Sequence, residues 1–177
     1  MKRFLIVILS LCCGLFSVAS FSSEQEMPAP ASNPQFDAIK SLAGTWVGTG
    51  KMNGKDESVK TTYRITSGGT AVEETLFPGT PHEMVSVYFL DGNDVMMTHY
   101  CALGNQPRMK ASEMKKTKKG EEIAFKMVDA TGMKSTQDPH MGALTLTMKG
   151  NDRLVESWEH EGPKGNKMAV FTYQREK

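Results

Sequence analysis

The chain predicts an all-β fold, an antiparallel up-and-down β-barrel of about ten strands with a short N-terminal helix. Three observations carry this expectation. Past residue 44, short runs with alternating apolar and polar residues recur at fairly even spacing. Gly, Asn, Asp and Pro clusters separate them, which is hairpin chemistry. No strand-then-helix alternation of the kind that builds a parallel sheet interrupts the series. Closing such a series into a barrel removes the exposed edges that invite aggregation.

The N-terminus reads as a targeting segment rather than as part of the fold. Lys2 and Arg3 precede an apolar run from Phe4 to Phe16, and Ser17-Val18-Ala19 supplies small residues for cleavage. Residues 1–19 are therefore expected to be a secretory signal peptide. The run is shorter than the roughly 20 residues a spanning helix needs, so no membrane span is expected after cleavage. A periplasmic or secreted location follows. Residues 20–34, rich in Ser, Glu, Gln and Pro, read as a flexible linker, and the barrel domain is expected over 35–177.

The chain has 177 residues, 39% hydrophobic and 23% charged, as an ordinary globular protein does and a disordered one does not. Its formal net charge of +1 excludes the basic excess of a typical nucleic-acid binder. Cleavage after Ala19 leaves 19 basic against 20 acidic residues, and Cys101 as the one cysteine. A lone cysteine forms no internal disulfide and is expected to be a buried small hydrophobe.

Pro34 to Leu42 predicts the helix, with Phe36, Ile39 and Leu42 on one face and Gly44 ending it. Strands are then expected over 45–52, 57–66, 70–77, 83–90, 94–103, 107–116, 121–128, 142–149, 153–160 and 167–175. Alternation is plain in Ile123, Phe125 and Met127, in Leu144, Leu146 and Met148, and in Val59, Thr61, Tyr63 and Ile65. A longer connection from Asp129 to Met141 is expected to form a flap over one end.

The helix running into Leu42-Ala43-Gly44-Thr45-Trp46, followed by about ten antiparallel strands, resembles the calycin superfamily of lipocalins, fatty-acid-binding proteins and nitrobindin-like domains. The chain looks especially like exported bacterial lipocalin-like domains of unassigned function, which often carry a segment like His99-Tyr100-Cys101. The resemblance spans roughly Phe36 to Arg175. It implies that Trp46 closes one barrel end and that Arg175, from the last strand, packs over it. It also implies a small hydrophobic or amphipathic molecule as the partner, held inside the barrel.

Candidate ligand-site residues follow from the faces of the strands. Val95, Met97, His99, Cys101 and Leu103 share the face expected to point inward. Glu74, between Val72 and Leu76, and Glu156, between Leu154 and Trp158, would be buried carboxyls in need of partners. Arg108 and His99 are the expected partners, and Arg108 with Tyr63 would suit a ligand carboxylate. The expected site is thus Trp46, Tyr63, Glu74, Met97, His99, Cys101, Arg108 and Trp158. The 13 methionines fit a cavity lined by flexible thioethers.

Two other chemistries stay open at this point. His99 beside Cys101 would suit a thiol-dependent or isomerase-type enzyme if the histidine lowered the thiol pKa. Met96, Met97, His99, Cys101 and His140-Met141 are soft ligands that would suit copper, and nitrobindin-like domains bind haem through one histidine. No catalytic residue, metal ligand or cofactor is assigned by a motif.

Overall fold

The computed structural model describes residues 32–52 and 55–177. The expected signal peptide, most of the linker, and the Asn53-Gly54 turn lie outside the described residues.

One helix, α1 (Pro34–Lys40), precedes the sheet. Asn33 caps it: its Oδ1 accepts from the backbone N–H groups of Gln35 (3.0 Å) and Phe36 (3.2 Å). Pro34 needs no such bond and has the right φ for a first turn. Phe36, Ile39 and Leu42 are buried, so the apolar face lies against the barrel.

Eleven strand segments follow: β1 (Gly44–Met52), β2 (Lys55–Thr66), β3 (Ala71–Leu76), β4 (Met84–Asp91), β5 (Asp94–Tyr100), β6 (Gln106–Ala111), β7 (Lys115–Thr117), β8 (Gly120–Thr131), β9 (His140–Lys149), β10 (Arg153–Glu161) and β11 (Lys167–Arg175). Consecutive strands pair antiparallel except β6 and β7, which both pair with β8, and β1 also pairs with β11. The sheet therefore closes. The expected strand over 107–116 is split into β6 and β7, both laid along β8, so eleven segments make ten staves. The expected flap is shorter than 129–141, because β8 runs on to Thr131 and β9 begins at His140.

Closure at the β1–β11 seam depends on small residues. A side chain at Gly48 would place its Cβ 1.9 Å from the Thr172 carbonyl oxygen, and one at Gly50 would strike the Phe171 ring at 2.2 Å. The backbones meet there because nothing separates them.

Alternation puts one face of each strand inside. Val59, Tyr63, Val72, Leu76, Tyr88, Met97, Met109, Ile123, Phe125, Leu144, Leu146, Leu154, Trp158, Phe171 and Tyr173 are all buried in a continuous core. The end beside α1 is closed by Trp46. Its Nε1 donates to the Leu42 carbonyl at 2.8 Å, and the Arg175 guanidinium lies 4.2 Å from its ring centroid. Arg175 also donates to the carbonyls of Ala43 (2.6 Å), Ser41 (2.8 Å) and Asn151 (2.7 Å). Trp46 and Arg175 thus occupy the places that the sequence resemblance implied.

Candidate functional site

The polar residues inside the barrel come from four neighbouring strands, β2 to β5, and from two, β10 and β11, that lie on the other side of β1. Register sets β2 Tyr63 opposite β3 Glu74, Glu74 opposite β4 Ser86, and Ser86 opposite β5 His99. Glu156 and Trp158 enter from β10, and Tyr173 from β11. Because every one occupies an inward position of its strand, all are buried.

Two carboxyls and two phenols form the centre. The Tyr63 hydroxyl lies 2.8 Å from Glu156 Oε1 and 3.0 Å from Glu74 Oε1. Glu74 Oε2 accepts from the Tyr88 hydroxyl at 2.7 Å, and Thr61 Oγ1 lies 3.3 Å from Glu74 Oε1. Glu156 Oε2 accepts from Trp158 Nε1 at 3.2 Å. Tyr63 has one phenolic proton. It donates to one carboxyl, so a hydrogen bond to the other requires that carboxyl to be protonated and to donate. The geometry itself therefore calls for at least one neutral carboxyl.

Electrostatics agree. Burial raises the pKa of both Glu74 and Glu156, and the charge of Glu74 raises that of Glu156 further. Among the described residues no lysine or arginine is buried. The pair has no counterion and resolves its desolvation by keeping protons. Burial, with the two glutamates nearby, also drives the hydroxyls of Tyr63, Tyr88 and Tyr173 up, so the phenols stay neutral.

His99 borders this cluster. Its Nδ1 lies 3.0 Å from Ser86 Oγ, its ring packs 4.7 Å from that of Trp158, and burial holds its pKa down to about 4. Its Nε2 is buried with no partner, as is the Tyr173 hydroxyl. A neutral imidazole and a phenol are thus left with open hydrogen-bonding atoms in a closed interior, which is costly unless something fills them.

The expected site is brought together in part. Tyr63, Glu74 and Trp158 meet in one network, with His99 and Met97 beside it. Trp46 is buried at the helix end and belongs to the closure rather than to this cluster. Arg108 is a correction. It lies exposed on the outer face and pairs with Asp129, its Nε 3.0 Å from Oδ1. Strand alternation explains this, since Pro107 and Met109 on either side point inward. Neither Glu74 nor Glu156 has it as a partner, and a ligand carboxylate would meet no guanidinium inside.

Cys101 is buried at the end of β5, where burial raises its thiol pKa. His99 gives its Nδ1 to Ser86, and no hydrogen bond joins it to Cys101. A neutral histidine beside a thiol with raised pKa is the opposite of an activated nucleophile. Leu103, expected inward, is exposed, because the chain has turned out of the strand by then. The soft-ligand set does not converge either. Met96 takes the opposite face of β5 from Met97 and His99, and among the described residues no group of three His, Cys, Asp or Glu is placed to hold a metal ion.

Ser86, Tyr88, Thr61 and Tyr173 are site residues that sequence reasoning missed. In β4 the outward residues Val85, Val87 and Phe89 are more apolar than the inward Ser86, Tyr88 and Leu90, so hydropathy favoured the wrong face. The available signal was register. A strand pairing with Glu74 must place a partner opposite it.

The inward-facing side chains pack into one continuous core. Four pockets of 470–570 Å³ lie on the outside or at the rims, and none is lined by Glu74, His99 or Glu156. One of them lies under the 132–139 connection, against Met127, Met133, His140 and Glu161.

No family model and no curated protein matches the chain. Among solved structures it is similar to a redesigned β-barrel at 13% identity and a TM-score of 0.36, over 79% of this chain and 96% of that one.

Proposed function

We propose that this chain is an exported, calycin-like barrel that binds a small amphipathic molecule in its interior. The observation that carries the reading is the Glu74–Tyr63–Glu156 bridge, two carboxyls buried without a counterion beside the unpartnered His99 Nε2 and Tyr173 hydroxyl. A barrel needing only a packed core would fill these positions with apolar residues at lower cost. The ligand supplies the missing partners and takes its space from flexible side chains. Met97 and Met109 face one another in register and are fully buried, and thioethers repack at little cost.

Access is proposed at the end away from α1. There Phe77 holds φ 53°, a strained backbone for an aromatic residue, and its ring packs edge-on against Phe171 at 5.4 Å. Native mass spectrometry of protein purified from its own compartment tests the reading. The expected result is a co-purifying small molecule that denaturation releases. A spectrum containing the bare chain alone, with nothing extracted, overturns it.

A further inference from the structure

We infer that the interior ligand is an organic ammonium, a small amine whose –NH3+ group sits against the Glu74–Glu156 pair on the side of the open His99 Nε2 and Tyr173 hydroxyl, while its carbon skeleton lies among Tyr88, Trp158 and Met97. This rests on the interior-binding reading and names its chemical class.

Charge is the first argument. Arg108 faces outward, and no described lysine or arginine is buried. The interior offers two carboxyls and no cation, so it discriminates against anions and accepts a positive charge. Donor counting is the second. Each carboxyl oxygen already meets Tyr63, Tyr88, Thr61 or Trp158, so the acceptors open to a ligand are His99 Nε2, the Tyr173 oxygen and the carboxyl oxygen that loses its proton. His99 Nε2 accepts if Nδ1 carries the proton and donates to Ser86. An ammonium brings three donors and no acceptor, which is the complement of this set. The His99 ring packs on Trp158, which bonds Glu156, and the Tyr173 hydroxyl lies in the field of both glutamates. The third argument is the wall: Tyr88 packs edge-on to Phe125 at 5.6 Å and His99 lies 4.7 Å from Trp158, so aromatic side chains border the carboxyls, and a cation gains from nearby rings.

The proton balance follows. An ammonium arriving from water with its charge meets a protonated carboxyl. The carboxyl O–H bond breaks, its proton leaves to solvent, and a carboxylate–ammonium pair remains with no covalent bond formed. The groups facing this pair are Tyr63 from β2, Tyr88 from β4, His99 from β5 and Tyr173 from β11, all neutral. Binding therefore weakens as pH falls and the carboxyls compete for protons.

Isothermal titration of the mature protein at neutral pH with 2-phenylethylammonium, 2-phenylethanol and 3-phenylpropionate tests the inference. The expected result is binding of the ammonium about tenfold or more tighter than the other two, with release of about one proton read from buffers of different ionisation enthalpy. Glu156→Gln is expected to remove that preference while keeping the far-ultraviolet circular dichroism. If that variant fails to fold, Glu74→Gln is read in the same way. Equal or tighter binding of the alcohol or the propionate overturns the ammonium and leaves interior binding standing. Binding of none of the three, or ammonium binding unchanged in both variants, also overturns it, and the native mass spectrum then judges the parent reading separately.

Discussion

Tyr63 on β2 reaches across the barrel to Glu156 on β10, a 2.8 Å hydrogen bond between residues 93 apart in the chain. That bond, shared with Glu74, makes the interior sensitive to its own protonation, and the first expectation concerns pH.

Both glutamates have folded-state pKa values raised by burial above the ordinary value of about 4.3. The folded protein therefore holds protons that the unfolded chain releases. Their contribution to stability is full below about pH 4.3 and is lost as pH rises through the folded-state values. Glu156→Gln should flatten this decline, by up to about 1.4 kcal/mol for each pH unit in that window. Urea unfolding from pH 5 to 9 checks it, and parallel slopes for the two proteins would refute the shared-proton assignment.

His99 acts in the opposite sense. Its pKa is depressed to about 4 from 6.5, so its contribution is present above pH 6.5 and lost as pH falls toward 4. The loss amounts to roughly 3 kcal/mol at about 1.4 kcal/mol per unit. His99→Gln is expected to remove this acid-side fall. A histidine resonance titrating near its ordinary pKa in the folded protein would contradict it.

Arg175 ties α1, the α1–β1 junction and the last strand together through three carbonyls and the Trp46 face. Arg175→Ala should cost about 2–4 kcal/mol, from charged hydrogen bonds and a cation–π contact. Lysine should restore little, because it lacks the planar fork. Chemical denaturation measures both, and full rescue by lysine would mean that charge alone matters there.

At the seam, Gly48→Ala places a methyl against the Thr172 backbone. The backbone cannot yield as a side-chain tip does. A loss of about 3 kcal/mol or more is expected, at the upper end of overpacking costs. An alanine variant as stable as the parent would show that β1 and β11 do not close the barrel so tightly.

Cys101 should behave as a core residue. With the thiol buried and its pKa raised, labelling by a disulfide reagent at neutral pH should be slow in folded protein lacking residues 1–19 and fast in urea. Immediate labelling of folded protein would revive a reactive-thiol role.

The sequence by itself determined the elements and the barrel. Period-two alternation and Gly, Asn and Asp turns are local signals, and they marked all ten staves; helical spacing marked the helix, and the Trp46–Arg175 closure was implied by the resemblance to calycins. The site was legible where a polar or ionisable residue shared an apolar strand face, as Tyr63, Glu74, His99 and Glu156 do. Tertiary structure decided the rest. Arg108 faces out because Pro107 and Met109 on either side of it face in. Tyr88 and Ser86 faced in although their strand is more apolar on its other side. Which residue meets which across a closed barrel depends on register and closure, and these bring β2 against β10 across 93 residues. No local pattern encodes that distance, because the hydrogen bonds and burial that select the register exist only once the last strand has paired with the first.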